Sequence, residues 1–178
     1  MSTEPFLKLA GEIGFTHTGK LNMNALVFRP EVRKMCEDNR CGSWNMRWTC
    51  PPACGSLSFA QKRASRYTEG ILVQTTGTLE DPFDLAAMHE LEALHKKQFD
   101  TLTRQAEMLC ADILPMGSGT CTLCRTCTYP DRPCRFPRRA HPSMEAYGLL
   151  ISDVVEKSGM RYSYGPQTMT FTSCILLP

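Results

Sequence analysis

No window of this 178-residue chain approaches an uninterrupted apolar run of about eighteen residues, because charges break the longest candidates every few positions. A membrane-spanning helix is not expected. The opening stretch MSTEPFLKLAGEIGF also lacks a basic segment followed by an apolar run and a small-residue cleavage site. Nothing in it suggests export, and a soluble, cytoplasmic protein is the expectation. Neither sign of charge dominates: 20 Lys and Arg face 18 Asp and Glu, for a formal charge of +2. So small an excess does not indicate nucleic-acid binding.

Familiar organic active sites are missing as well. There is no serine nucleophile elbow, no paired-carboxylate constellation and no CxxxCxxC run. GFTHTGKL at 14–21 fits the phosphate-loop pattern up to Lys20. The next residue is Leu21, which lacks the hydroxyl that holds magnesium, and the segment before it reads as helix rather than strand. A flexible turn is the expectation there. Any chemistry must come from elsewhere in the chain.

Cysteine is abundant, and eight of the ten residues fall into two quartets, Cys36/Cys41/Cys50/Cys54 and Cys121/Cys124/Cys127/Cys134. In the second, CTLCRTC repeats a thiol every third position, so one tight loop can aim three thiolates at three iron corners of a cubane, with Cys134 as the fourth ligand. The bacterial ferredoxin run C-x2-C-x2-C-x3-C-P is matched only in part, since the last gap here is six residues and Pro137 follows Cys134 by three.

Zinc is the competing reading. Four thiolates close a structural zinc site, usually as two C-x2-4-C pairs. The gaps x4, x8 and x3 of the first quartet resemble a zinc ribbon about as well as a cluster loop. The second quartet suits zinc poorly: a Zn–S bond of about 2.3 Å sets sulfurs roughly 3.8 Å apart, closer than cubane corners. A disulfide framework would also accommodate an even number of cysteines, but nothing else marks a small secreted scaffold.

Five arginines, Arg125, Arg132, Arg135, Arg138 and Arg139, surround the second quartet, opposed only by Asp131 between Thr120 and His141. They fit two roles, stabilising an anionic cluster or forming a solvated basic face, and the first extends to docking an acidic redox partner. Cys110 and Cys174 are expected in the core, with a substitute ligand or reactive thiol as the alternative for one of them. His95 lies on an apolar stripe and reads as a core histidine, and His17 and His89 carry no ligand spacing. His141, beside the second loop, is the histidine placed to move a proton.

With 42% hydrophobic and 21% charged residues, the chain is long enough to bury a core as one domain over 1–178. The expected fold is α/β or α+β, with a small sheet, flanking helices and two cysteine-rich loops at about 36–58 and 117–140. Helices are predicted over 4–12, 31–38 with Pro30 at its start, and 84–113, where Leu91, His95, Phe99, Leu102, Ala106, Leu109 and Ile113 form one face. A further helix is predicted over 142–157, with Ser143 as N-cap and Gly159 as the stop. Strands are predicted over 25–28, 71–76 and 168–176. Trp44 and Trp48 are expected to wall the first loop.

The segments CEDNRCGSWNMRWTCPPAC and CTLCRTCTYPDRPCRFPRRAHPSMEAYG resemble the small cysteine-rich predicted metal-binding proteins of the DUF2284 family. WTCPPAC at 48–54 and PCRFP with PSMEAYG at 133–148 are the specific parts, and the resemblance covers most of the chain. It implies metal binding, iron–sulfur in kind, in anaerobic or microaerobic prokaryotes, with the cysteines of both quartets as ligands. A tyrosine expected shortly after the second cysteine is replaced by Ser43 and Trp44, which questions the shape of the first pocket.

The leading expectation is an electron-transfer or redox accessory protein with two 4Fe-4S clusters, served by a redox partner protein. An alternative is a cluster-dependent reductase or desulfurising enzyme, with one iron open to a small-molecule substrate. A zinc-stabilised interaction module is the third reading.

Overall fold

The segment EGILVQTTGT places apolar and β-branched residues along one run, and it forms the central strand of the sheet. The computed structural model describes residues 2–178. Strand β2 (Glu69–Thr78) pairs antiparallel with β4 (Thr168–Leu177) along its whole length, in a register that sets Ile71 opposite Ile175 and Leu72 opposite Cys174. The edges are β1 (His17–Lys20), paired with β2, and β3 (Leu114–Met116), paired with β4. The order is β1-β2-β4-β3 and every pairing is antiparallel, so the architecture is α+β.

Side chains of a strand alternate between faces, and here both faces are covered. Ile71, Val73, Ile175 and Leu177 pack beneath α1 (Glu4–Ile13) and α4 (Leu85–Leu109), through Phe6, Ala10, Phe99, Leu102 and Ala106. Leu72, Cys174 and Leu176 face the other layer, where α3 (Leu57–Ala64) and α5 (Ile151–Lys157) bring Ala60, Ala64 and Val154, joined by Met144, Tyr147 and Leu149. Burying a Leu or Ile side chain contributes about 1.5–3 kcal/mol, so two apolar faces on four strands anchor the loops at the sheet's margin.

Several expectations need correction. Residues 25–28 are not a strand: Met23–Ala25 is a 3-10 turn, and only Phe28 makes a bridge, to Leu149. The 14–21 segment is not a flexible turn, since His17–Lys20 is an edge strand whose polar residues hide the alternation of a strand. The helix predicted over 142–157 is two pieces, a 3-10 turn at Glu145–Tyr147 and α5. Gly148 divides them. It sits at φ 82°, and a Cβ there would lie 2.4 Å from Leu57 Cδ1 and 3.1 Å from the Arg29 carbonyl, so glycine is required on both conformational and steric grounds. Helix α4 stops at Leu109, which is exposed, and Ile113 reaches the core from the following loop. The first cysteine-rich loop ends earlier than expected, because Ser56 accepts the Phe59 N–H and starts α3 at Leu57.

Candidate metal centre

The first quartet combines a helix and a loop. Cys36 lies in the last turn of α2 (Pro30–Glu37), started by a proline whose missing N–H costs a first turn nothing. Cys41, Cys50 and Cys54 follow on an irregular segment shaped by two asparagines at positive φ, Asn39 and Asn45. The Asn39 side chain accepts the Trp44 N–H at 2.9 Å, and the Asn45 N–H donates to the Pro51 carbonyl at 2.8 Å. One side-chain bond and one main-chain bond thus hold a segment that has no regular ladder.

These turns bring the four thiols together. Cys36 feels the charges of Cys41 and Cys50, and Cys54 that of Cys50. Two of them rest on one turn: the Cys36 thiol faces the Glu145 carbonyl at 3.9 Å, and the Cys54 thiol faces the Ala146 carbonyl at 3.8 Å. Burial is the largest influence on three. It pushes Cys36 up to about 11, helped by the Glu145 carboxylate, and raises Cys50 and Cys54. Without metal these three thiols are therefore held protonated, and metal binding here must release protons.

Arg33 opposes that trend at Cys36 and Cys54. Its guanidinium donates to the Ala146 carbonyl at 2.6 Å and the Gly55 carbonyl at 2.7 Å. A cation is thereby fixed beside two thiols, where it favours their thiolate forms. Sequence reading missed it, because its partners lie 22 and 113 residues away.

The second quartet lies on an irregular loop. Cys121, Cys124, Cys127 and Cys134 all line one small cavity of ≈ 20 Å³, closed by Trp48 and Phe136. Internal bonds hold the loop, with Thr128 Oγ1 donating to the Pro133 carbonyl at 2.9 Å and Arg135 to the Thr126 carbonyl at 2.9 Å. Burial raises the Cys121 thiol, and Arg47 lowers it.

Two expectations about this loop change. Trp48 walls the second quartet rather than the first alone: its indole N–H donates to the Arg132 carbonyl at 3.1 Å, and its ring meets Tyr129 edge-on at 5.0 Å. The neighbouring arginines are partly spent on helix α4, since Arg139 makes a two-pronged pair with Asp100 and Arg138 reaches Glu107. The cation that acts on Cys121 is Arg47, from the other cysteine loop.

The two quartets adjoin. Thr120, immediately before Cys121, touches Cys50 Sγ at 3.8 Å and hydrogen-bonds Ser43 Oγ at 3.0 Å, while Arg47 acts on both Cys50 and Cys121. Ser43, standing where a tyrosine was expected, is buried in this seam at 4% exposure. An open groove of ≈ 700 Å³ runs across the same margin, with Cys54 and Cys134 in its wall beside Trp48, Phe59, Arg63 and Arg132.

A model of the family described as predicted metal-binding protein (DUF2284) matches residues 19–177. This chain belongs to that family. No curated protein and no solved structure matches it. For a DUF2284 protein the donors suit a metal in kind, since thiols are metal ligands, and the four thiols of the second quartet line one common space. Among the described residues, no three His, Cys, Asp or Glu side chains stand at the spacing of a single bound ion. No helix among them is long and apolar enough to cross a membrane.

Other candidates are placed outside the quartets. Cys174 is fully buried in the sheet, a core residue as expected, whereas Cys110 is only partly buried and packs against the core from beyond α4. His95 is a core histidine, with Nδ1 bonded to Thr75 Oγ1 and Nε2 to Ser173 Oγ, both at 2.8 Å. His141 lines a cavity of ≈ 70 Å³ with Cys121, and its buried Nε2 has no hydrogen-bond partner. Burial lowers it to about 4, which keeps it neutral at ordinary pH.

Proposed function

We propose that this DUF2284 protein holds two 4Fe-4S clusters, on Cys36/Cys41/Cys50/Cys54 and on Cys121/Cys124/Cys127/Cys134, and passes electrons between them and a redox partner. The observation that carries the reading is the seam. Thr120 and Arg47 each contact or act on thiols of both quartets, so two centres held there are neighbours. Bound clusters supply one-electron chemistry. The chain's part is to hold them, with Arg33 and Arg47 offsetting thiolate charge and Trp48 and Phe136 excluding water.

The groove favours a second reading, reduction of a small molecule. Its ≈ 700 Å³ falls within the span of roughly 300–1,000 Å³ typical of ligand sites, and it exposes one thiol of each quartet. Aromatic walls and two arginines suit an anionic, planar substrate.

Electron paramagnetic resonance of the fully reduced protein tests the relay. Adjoining centres give a spectrum broadened by magnetic interaction, which Cys124→Ala converts to the simple signal of the first centre, with about half the iron remaining. Two non-interacting signals in the native protein, or loss of all iron in the folded variant, contradict the proposal.

A further inference from the structure

The groove beside the two quartets is walled in part by two arginines that no carboxylate pairs with. Arg63 enters the wall from the last turn of α3, and Arg132 from the second cysteine loop. Arg29, Arg66, Arg104, Arg138 and Arg139 are all ion-paired, whereas among the described residues neither Arg63 nor Arg132 is. Asp131 lies in the same wall and pairs with neither.

Arg63 differs from a freely solvated side chain. Its Nη1 donates to the Tyr147 hydroxyl at 3.1 Å, and Tyr147 is fully buried in the core on the α3 side of the sheet. The guanidinium is thus fixed at one nitrogen, while Nε and Nη2 have no acceptor among the described residues. Those two donors form the edge of the fork that takes a carboxylate in two-pronged fashion, the edge with which Arg139 grips Asp100. With one prong already held, less ordering remains to be done on binding.

The rest of the wall is suited to a flat body. Phe59, 52% exposed, and Trp48 bring rings to it. We infer that the groove binds an aromatic carboxylate, its carboxylate on the Nε and Nη2 edge of Arg63, its ring against Phe59 and Trp48, and Arg132 as a second counter-charge. The inference rests on the small-molecule reading above and names the ligand class for it. Such an anion would stand beside Cys54 and Cys134, where the two arginines offset the charge of the thiols. The ≈ 700 Å³ of the groove leaves room for a bicyclic ring.

Equilibrium dialysis of anaerobically purified protein against 2-naphthoate, 2-naphthamide and cyclohexanecarboxylate tests this, with iron counted in the same samples. Native protein binds 2-naphthoate about tenfold or more tightly than either of the others, the amide lacking the charge and the cyclohexane the flat ring. Arg63→Met keeps the apolar stem and loses the preference over the amide, while Arg138→Met, outside the groove, keeps it. No binding of 2-naphthoate, equal binding of acid and amide or of the two acids, or an Arg63→Met variant as selective as the native protein overturns the inference. Should Arg63→Met not fold, Arg63→Lys is read in its place: it keeps the charge without the two-donor edge, so weakened 2-naphthoate binding supports the inference and unchanged binding overturns it. Selective binding by protein that holds no iron leaves the site standing and removes the reduction reading, whereas iron-loaded protein that ignores the carboxylate overturns the inference alone.

Discussion

Thr75 and Ser173 clamp the two ring nitrogens of His95 beneath α4, and burial lowers its pKa to about 3. The unfolded chain takes up a proton near pH 6.5, whereas the folded chain does so only near pH 3. Stability conferred by the neutral ring is therefore complete above about 6.5 and is lost as pH falls toward 3, at about 1.4 kcal/mol per unit. Thermal unfolding of the metal-free protein should show a midpoint that drops across this window, with a shallower drop in His95→Gln. Equal slopes in the two proteins would exclude His95 as the source. Arg33 makes a different prediction. Arg33→Gln removes a fixed cation and leaves carbonyls of Ala146 and Gly55 short of donors, at a cost on the order of 2 kcal/mol. Equilibrium unfolding checks the cost, and metal competition should show weakened binding at the first quartet only. The cysteine quartets were legible because their local spacing is itself the signal. Arg33, Arg47, Thr120 and Glu145 were not, because each acts through contacts that join distant parts of the chain.

At the scale of elements, the 3-10 turn at Glu145–Tyr147 matters most, since it supplies the carbonyls against Cys36 and Cys54. Gly148 ends that turn, and its carbonyl accepts the Arg29 N–H at 2.8 Å just before α2. Gly148→Ala forces a Cβ against Leu57 and into a left-handed backbone, costing more than about 1 kcal/mol. The expected result is a lowered unfolding midpoint and preferential loss of metal from the first centre, read by metal analysis before and after mild chelation. Loss from both centres equally would show that the turn supports the whole margin. Capping signals, Ser143 at the start and Gly159 at the stop, suggested one helix across this region, and Met144, Ala146, Tyr147 and Val154 are indeed all buried. A backbone reversal within an apolar run leaves no trace except the glycine. Edge strands hid for related reasons, β1 being polar and β3 only three residues long with Pro115 at its centre.

For the molecule as a whole, the antiparallel sheet and its two layers act as a frame, and both cysteine loops occupy one margin of it. Thr120 and Arg47 bring two sequence-separate cysteine quartets side by side, an arrangement that spacing along the chain could not reveal. The sequence pointed to an α/β or α+β scaffold through its long helix and two long strands, and the all-antiparallel sheet decides for α+β. The measurement that bears most directly on the central claim is elemental: iron, acid-labile sulfide and zinc per chain in protein purified without oxygen. Two four-iron clusters require about eight irons and about eight sulfides, and stoichiometric zinc without sulfide would contradict the account.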